Sequence, residues 1–559
     1  MDTRLHGKTV LICLMMCADL VRKLVLTILQ KRWLYAIWLT VLVGFALLHT
    51  LHLTADFPNH TQWSSDWAKY TDEGWYGNAA IRAHLLGNWY LAGDFNPAPA
   101  VPAWPFLEWV TFFFTGVSVQ AARGLAVCFF FLNLLLSYLM LRTRGARWMA
   151  LLALTLIVTS PFLYAFSRLA ILEPSLTAFT LAALNLAVRL PRSRRPMAAS
   201  VAIGLLFTAM MLTKTTAIFL LPALGWAMVL PLWREWRLAL KCALAAGGVF
   251  ATAFAGWMAM VFHFGLYPDY KFFFFVNHYD KPKEFYWPLI SFWWSLHGGL
   301  WVDHLLIPLA GLVVLGSILA FLGSKSAKTA AQSLLLNPVF GASVLAVAGY
   351  IFFMAIQNHF QPRYFAVVAF FCFFIVAQGA EAMVAHGGRL RWLGVGMIAV
   401  IAVTAGFNGV QTVSYAAHPE YSFVNAAQRL TQYIDAHPNG KRLLVSISGD
   451  QITLVTHLPA LCDDFGTPSS RFPDLPTKLA YYQPGWWATW NDIDPGTLED
   501  LHTLYSIEQV ASFRAFDDPD RNVLVLFKLH PLPGGQKRDF GSQNLQVPLF
   551  GDKIEIPLQ

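Results

Sequence analysis

The chain has 559 residues, 56% of them hydrophobic and 13% charged, whereas a soluble globular protein carries about a quarter charged residues. That balance excludes an ordinary water-soluble enzyme and calls for lipid as solvent. The formal charge of +8 gives no reason to expect nucleic acid as a partner, because the basic residues sit in short clusters between apolar runs and form no single stripe.

Residues 1–32 contain an apolar run, Thr9 to Leu20, that leads into the basic Arg22-Lys23 without a small-residue cleavage site. This segment is expected to lie as an interfacial helix on the inner leaflet. From Trp33 to Gln411 apolar runs of about 20 residues recur, each long enough to span a bilayer as a helix. The fold class predicted is a mainly α, polytopic membrane protein with about eleven spans, near 33–53, 119–141, 148–164, 170–188, 197–213, 215–232, 241–263, 300–322, 338–356, 364–382 and 392–411. Helices are required because an unpaired amide in hydrocarbon costs several kcal/mol and no period-2 barrel pattern is present.

Placing the N-terminus inside gives the inner segments 18 Lys and Arg and the longer outer connections only 8. The positive-inside rule then puts both long aromatic connections, 54–118 and 264–299, on the outer face of the inner (plasma) membrane, with the C-terminal part outside as well. Past Gln411 the texture becomes mixed. Residues 420–436 have helical periodicity with Phe423, Ala427, Leu430 and Ile434 on one face, and strand-like runs follow at 442–448 and 522–529. Residues 412–559 are therefore expected to form a soluble α/β domain with a polar tail, lacking a glycine-rich phosphate loop. It holds one cysteine, Cys462, so no disulfide framework is possible there; Cys13 and Cys17 are expected to pack rather than bind metal.

Charged residues at the outer ends of the spans carry the chemistry. Asp72-Glu73, in KYTDEGWYGNAAIRAHLLGNWYLAG, begin a helix that Thr71 can cap, so they serve either the helix dipole or a site. Arg168 and Glu173, in YAFSRLAILEPSL, either close a turn as an ion pair or contribute to a site. Lys214, in MLTKTTAIF, either snorkels to the interface or meets a lipid phosphate, and Arg363-Tyr364 in QNHFQPRYF repeat the arrangement. His278, between Asn277 and Asp280, is either a structural group or a ligand.

Taken in order, the acidic pair, NPAPAVPAWPFLEW, GVSVQAARGL, SRLAILEPSL, LTKTT, VNHYDKP and QPRYF resemble the GT-C glycosyltransferases. The similarity covers about 33–411 and is to the bacterial protein O-mannosyltransferase-like group, which includes the transferases that place 4-amino-4-deoxyarabinose on lipid A. The resemblance implies a transferase using a polyprenyl-phosphate sugar donor at the outer face, with a lipid, polysaccharide or protein acceptor. It implies Asp72 as catalytic acid/base and Glu173 as the second acidic position. Lys214 and Arg363 are placed for the donor phosphate, Glu73, Tyr76, Arg168 and Tyr364 for substrate, and His278 for a divalent metal. One departure weakens the case for metal and for that particular sugar: Pro99-Ala100-Val101-Pro102 stand where the aminoarabinose enzymes have an acidic-basic-proline triplet.

One base would deprotonate the acceptor hydroxyl while cations stabilise the departing phosphate. The rival reading is a carrier or flippase for lipid-linked sugars, but internal repeats and paired interrupted spans, which such proteins often show, are missing. A scaffold would give the outer charges no reason to cluster.

Overall fold

The computed structural model describes residues 32–534 except 59–62, 64–65, 277–285, 322–324, 358–360, 464–473, 492 and 517–520. The expected interfacial helix with Cys13 and Cys17, the His278 region and the polar tail lie outside the described residues.

Six helical runs are long and apolar enough to cross a membrane by length and composition: Val119–Leu141, Pro196–Thr213, Thr215–His263, Pro338–Gln357, Pro362–His386 and Gly388–Ala436. Shorter apolar helices, Trp33–Leu48, Arg147–Thr159 and Leu306–Phe321, accompany them. Each expected span falls on one of these runs or on Leu172–Ala187; eleven is the number of crossings that the hydropathy pattern proposes. At 1.5 Å per residue the 49 residues of Thr215–His263 would be about 70 Å long, more than twice a hydrocarbon core. The run is broken where Leu230–Glu235 tightens into a 3-10 turn around Pro231.

Three boundaries differ from expectation. The first span ends at Leu48, and the chain then turns through His52, which has a positive φ of 50°. The expected 148–164 span divides into Arg147–Thr159 and Pro161–Phe166, because Pro161 cannot continue the hydrogen-bond ladder and Ser160 caps the new helix by accepting from Leu163 N at 3.2 Å. The last long helix runs on to Ala417, past Gln411. Phe365–His386 occupies the middle of the bundle, buried at every position from Phe365 to Ala380. Its sequence accordingly has no polar stripe.

The C-terminal part forms a mixed sheet of β1 (Lys441–Val445), β2 (Ala460–Leu461), β3 (Pro484–Trp490), β4 (Tyr505–Arg514) and β5 (Val523–Pro531), in the order β2-β1-β3-β5-β4. β1 runs parallel to β2 and β3, and β5 antiparallel to β3 and β4. Alternation along the strands sends Leu444, Trp486 and Leu526 to one face and Val445, Trp487 and Phe527 to the other. The first face is covered by Ser422–Ala436, which buries Phe423, Ala427, Leu430 and Ile434 as its periodicity predicts. β3 is buried along its whole length. A strand buried on both faces reads as a continuous apolar run, so PGWWATW gave no alternating signal.

This sheet domain is not a loose appendage. Residues 72–117 lie against it through Trp75 Nε1 to Ile447 O (3.1 Å), Tyr482 OH to Ala92 O (2.9 Å) and His457 Nε2 to Val117 O (3.0 Å). Helix Asp72–Leu86 approaches Gly449–Thr456 so closely at Gly74 that a Cβ there would overlap the backbone of Asp450 and Gln451.

Candidate active site

Asp72 and Glu73 form the first turn of Asp72–Leu86, with Gly87 ending the helix in the left-handed region at φ 73°. Thr71 holds the N-cap position, yet its hydroxyl lies within hydrogen-bond reach of Trp67 O (3.2 Å) and Asp72 Oδ1 (3.1 Å) and does not cap a helical amide. Successive helical residues point about 100° apart, so the two carboxylates enter different surroundings.

On the Asp72 side five charged groups meet. Arg363 Nε stands 2.9 Å from Asp72 Oδ2, while its Nη1 and its backbone N–H both donate to Asp66 at 2.8 Å. The Arg363–Asp72 contact is a charge pair without hydrogen-bond alignment, which leaves Asp72 Oδ2 and Arg363 Nε without a hydrogen-bond partner among the described residues. Lys214 pairs with Glu173 Oε1, and Glu173 Oε2 has no hydrogen-bond partner among the described residues. Tyr364 joins the two pairs: Lys214 Nζ lies 4.1 Å and the Arg363 guanidinium 5.2 Å from its ring centre.

Three carboxylates thus face two cations. Asp72 is 2% exposed. Burial first, and then the charges of Asp66 and Glu173, raise its carboxyl above the ordinary carboxylate range, against the pull of Arg363 and Lys214. Tyr76 stands one turn on, half-buried, its hydroxyl pushed well above its usual range by burial and by the Asp72 charge. Tyr76 also packs against the cluster of Val261 and Leu266. These two line an apolar cleft of about 500 Å³ together with Ala79, Ala83, Trp109 and Trp257.

On the Glu73 side the carboxylate itself is fully paired, although the buried Glu108 carboxyl near it has no hydrogen-bond partner among the described residues. Arg123 meets both Glu73 oxygens, Nε to Oε1 at 2.7 Å and Nη2 to Oε2 at 2.6 Å, and Ala170 N and Gln451 Nε2 each donate at 2.9 Å. Glu73 therefore faces away from Asp72 and ties the outer helix to the Val119–Leu141 helix, the 167–171 turn and the sheet domain. Beyond it lies a second buried network. Arg82 Nη2 reaches Asp94 (2.6 Å) and Asp450 (2.8 Å), and Lys478 Nζ reaches Asp94 at 3.1 Å. Burial and the Asp94 charge push Asp450 up to about 6 in spite of Arg82.

The structure thus brings Asp72, Glu173, Lys214, Arg363, Tyr76 and Tyr364 together, and turns two expected site residues elsewhere. Glu73 is the first. Arg168 is the second: its guanidinium donates to the Leu51 and His52 carbonyls and sits 4.5 Å from the Tyr164 ring centre, so it does not pair with Glu173. Sequence reasoning missed Asp66, six residues before Asp72 in the same connection, and Arg123, the partner of Glu73. The signal for Arg123 was available: a lone arginine in the first turns of an otherwise apolar span needs a buried anion.

Among the described residues no group of three or more His, Cys, Asp or Glu is placed to hold a metal ion. Arg363 and Lys214 already face the carboxylates of the Asp72 cluster, so these do not form an open ligand set. His278 lies outside the described residues.

A family model described as dolichyl-phosphate-mannose-protein mannosyltransferase matches residues 83–267, about a third of the chain. The match includes Glu173 and Lys214 and begins downstream of Asp72. No curated protein gives a sequence match. The oligosaccharyltransferase AglB from Archaeoglobus fulgidus, in complex with an inhibitory peptide and a dolichol-phosphate, aligns with a TM-score of 0.51 at 12% identity over 86% of this chain and 73% of its own. ArnT from Cupriavidus metallidurans in the apo state aligns with a TM-score of 0.46 at 16% identity, over 88% and 98% of the two chains. With its long loop-face connections, helical bundle and apposed C-terminal domain, the chain has the GT-C glycosyltransferase fold.

Proposed function

We propose that this protein transfers a sugar from a polyprenyl-phosphate donor to an acceptor hydroxyl at the membrane face carrying residues 54–118, and that this is the outer face, a reading supported by the distribution of basic residues. The observation that carries the reading is the incompletely satisfied Asp72 carboxylate, set between Arg363 and the Lys214–Glu173 pair. Buried polar groups are satisfied as a rule, so the orphaned oxygens of Asp72 and Glu173, set beside two cations, mark a place for a substrate.

Asp72 takes the proton of the acceptor hydroxyl, whose oxygen attacks the anomeric carbon. The bond from that carbon to the phosphate oxygen breaks, and the phosphate leaves with the electron pair. Its charge is received by Lys214 and by Arg363, whose Nη2 makes no hydrogen bond to the described residues. A single displacement of this kind inverts the anomeric centre. Glu173 holds Lys214 in place, and Tyr364 forms the floor beneath both cations. Tyr76 separates this polar site from the apolar cleft, which suits the first isoprene units of the donor lipid. The archaeal AglB structure contains a dolichol-phosphate, a lipid phosphate of the same chemical kind.

The test is release of polyprenyl phosphate from polyprenyl-phosphate sugars by the protein in proteoliposomes, using hexose and pentose donors with glycolipid, polysaccharide and peptide acceptors. Acceptor-dependent release supports a transferase. Movement of intact donor across the bilayer without release would establish the carrier instead.

A further inference from the structure

Three helices run from the Asp72 site to the opposite face of the bundle. Val119–Leu141 ends at Arg142, Leu172–Ala187 starts beside Lys214 and ends just before Arg189, and Pro196–Thr213 starts at that face and ends at Lys214. Where they meet, far from the site, is a cleft of about 480 Å³ whose lining includes Arg142, Arg189, Arg192 and Ser193, with Leu139 and Leu186 as apolar walls. Among the described residues no carboxylate forms an ion pair with these arginines. The carboxylate that most nearly acts on Arg142, Glu381, accepts from Ala146 N instead. Two of the guanidiniums are held by carbonyls, Arg142 Nη1 by Gly145 O in the turn that follows its helix and Arg189 Nη2 by Leu139 O in the last turn of the Val119–Leu141 helix, both at 2.7 Å. Arg192 has no such bond and is exposed.

Neutralising the negative ends of the helices accounts for the first two arginines in part, but not for a third converging on the same cleft without an anion. We infer that the cleft binds the phosphate headgroup of an anionic phospholipid, with the start of its acyl chains along Leu139 and Leu186. A lipid is favoured over a free anion because these walls belong to the Val119–Leu141 and Leu172–Ala187 helices and continue into the bundle's apolar surface. Basic pockets between membrane helices bind such headgroups.

The experiment measures lipid retention by native mass spectrometry on the full chain, offered phosphatidylglycerol and phosphatidylethanolamine in equal amounts. The expected result is a preference for phosphatidylglycerol of at least about tenfold, since each arginine near an anionic membrane surface supplies roughly fivefold. The preference should be lost in the triple variant Arg142→Gln, Arg189→Gln, Arg192→Gln and kept in Arg389→Gln, Arg391→Gln, which removes charge from another cleft. If the triple variant fails to fold, Arg192→Gln alone, which breaks no bond to the backbone, should reduce the preference severalfold. An unchanged preference in the cleft variants would overturn the inference, as would an equal loss in the control, which would mean diffuse charge. Displacement of the lipid by millimolar inorganic phosphate would overturn the choice of lipid over free anion.

Discussion

Asp72 and Glu73 are neighbours in one helical turn, both buried and both acidic, yet their surroundings follow opposite rules. Glu73 has a bidentate arginine and two further donors, whereas Asp72 has an unaligned charge contact, a crowd of like charges and an oxygen without a hydrogen bond. A saturated buried carboxylate belongs to the architecture, and an unsaturated one beside cations is available to a reaction. The sheet domain sharpens the contrast: Gln451 reaches both Gly74 N (2.8 Å) and Glu73. The domain therefore holds the structural carboxylate and leaves its neighbour open.

The largest effect expected from this contrast is on stability. Glu73→Gln leaves Arg123 buried without its counter-charge, and breaking a buried pair from one side costs about 3–5 kcal/mol. Denaturant or thermal unfolding in detergent should show that loss for Glu73→Gln. If Glu73→Gln melts like the parent while turnover collapses, the roles of the two carboxylates are reversed.

Next in size is donor affinity. If Lys214 and Arg363 receive the donor phosphate as proposed, Lys214→Ala or Arg363→Ala removes a charged contact worth about 1.5–3 kcal/mol, or roughly 10- to 100-fold in binding. Titration with a non-transferable polyprenyl-phosphate analogue measures this loss. Unchanged affinity in both variants would remove the phosphate from this end of the cluster.

The smallest effect is a displacement in pH. A general base works only when deprotonated, and the Asp72 carboxyl is raised by burial and by Asp66 and Glu173. Activity should therefore fall, as pH is lowered, at a value above the ordinary carboxylate range near 4. The linkage has the opposite sign for stability. A raised carboxylate favours the folded state most when protonated, below its unfolded value, and that contribution is lost as pH rises through the folded value. An acidic limb at an unperturbed carboxylate position would show that another group titrates.

Much of this was legible in the sequence. Hydropathy marked the helical stretches, because each must satisfy its own backbone in lipid, and the order of short motifs pointed to Asp72, Glu173, Lys214 and Arg363. What could not be read was pairing. Nothing in SSDWAKYTDEG separates Asp66, which grips Arg363, from an ordinary turn cap, since its partner lies 297 residues away. Glu73 looked like a site residue for the same reason: Arg123 is 50 positions downstream and Gln451 is in another domain. β3 was invisible because burial of both faces erases alternation.

The role proposed for Asp72 is that of the base. The most direct measurement compares Asp72→Asn with the parent in sugar transfer, donor binding and melting. The amide has nearly the same shape but cannot accept the proton, so transfer should fall about 10²- to 10⁴-fold, donor should still bind, and the variant should melt no lower than the parent, because a carboxylate that burial disfavours has been removed. Transfer at the parent rate by a folded, donor-binding Asp72→Asn protein would contradict the account.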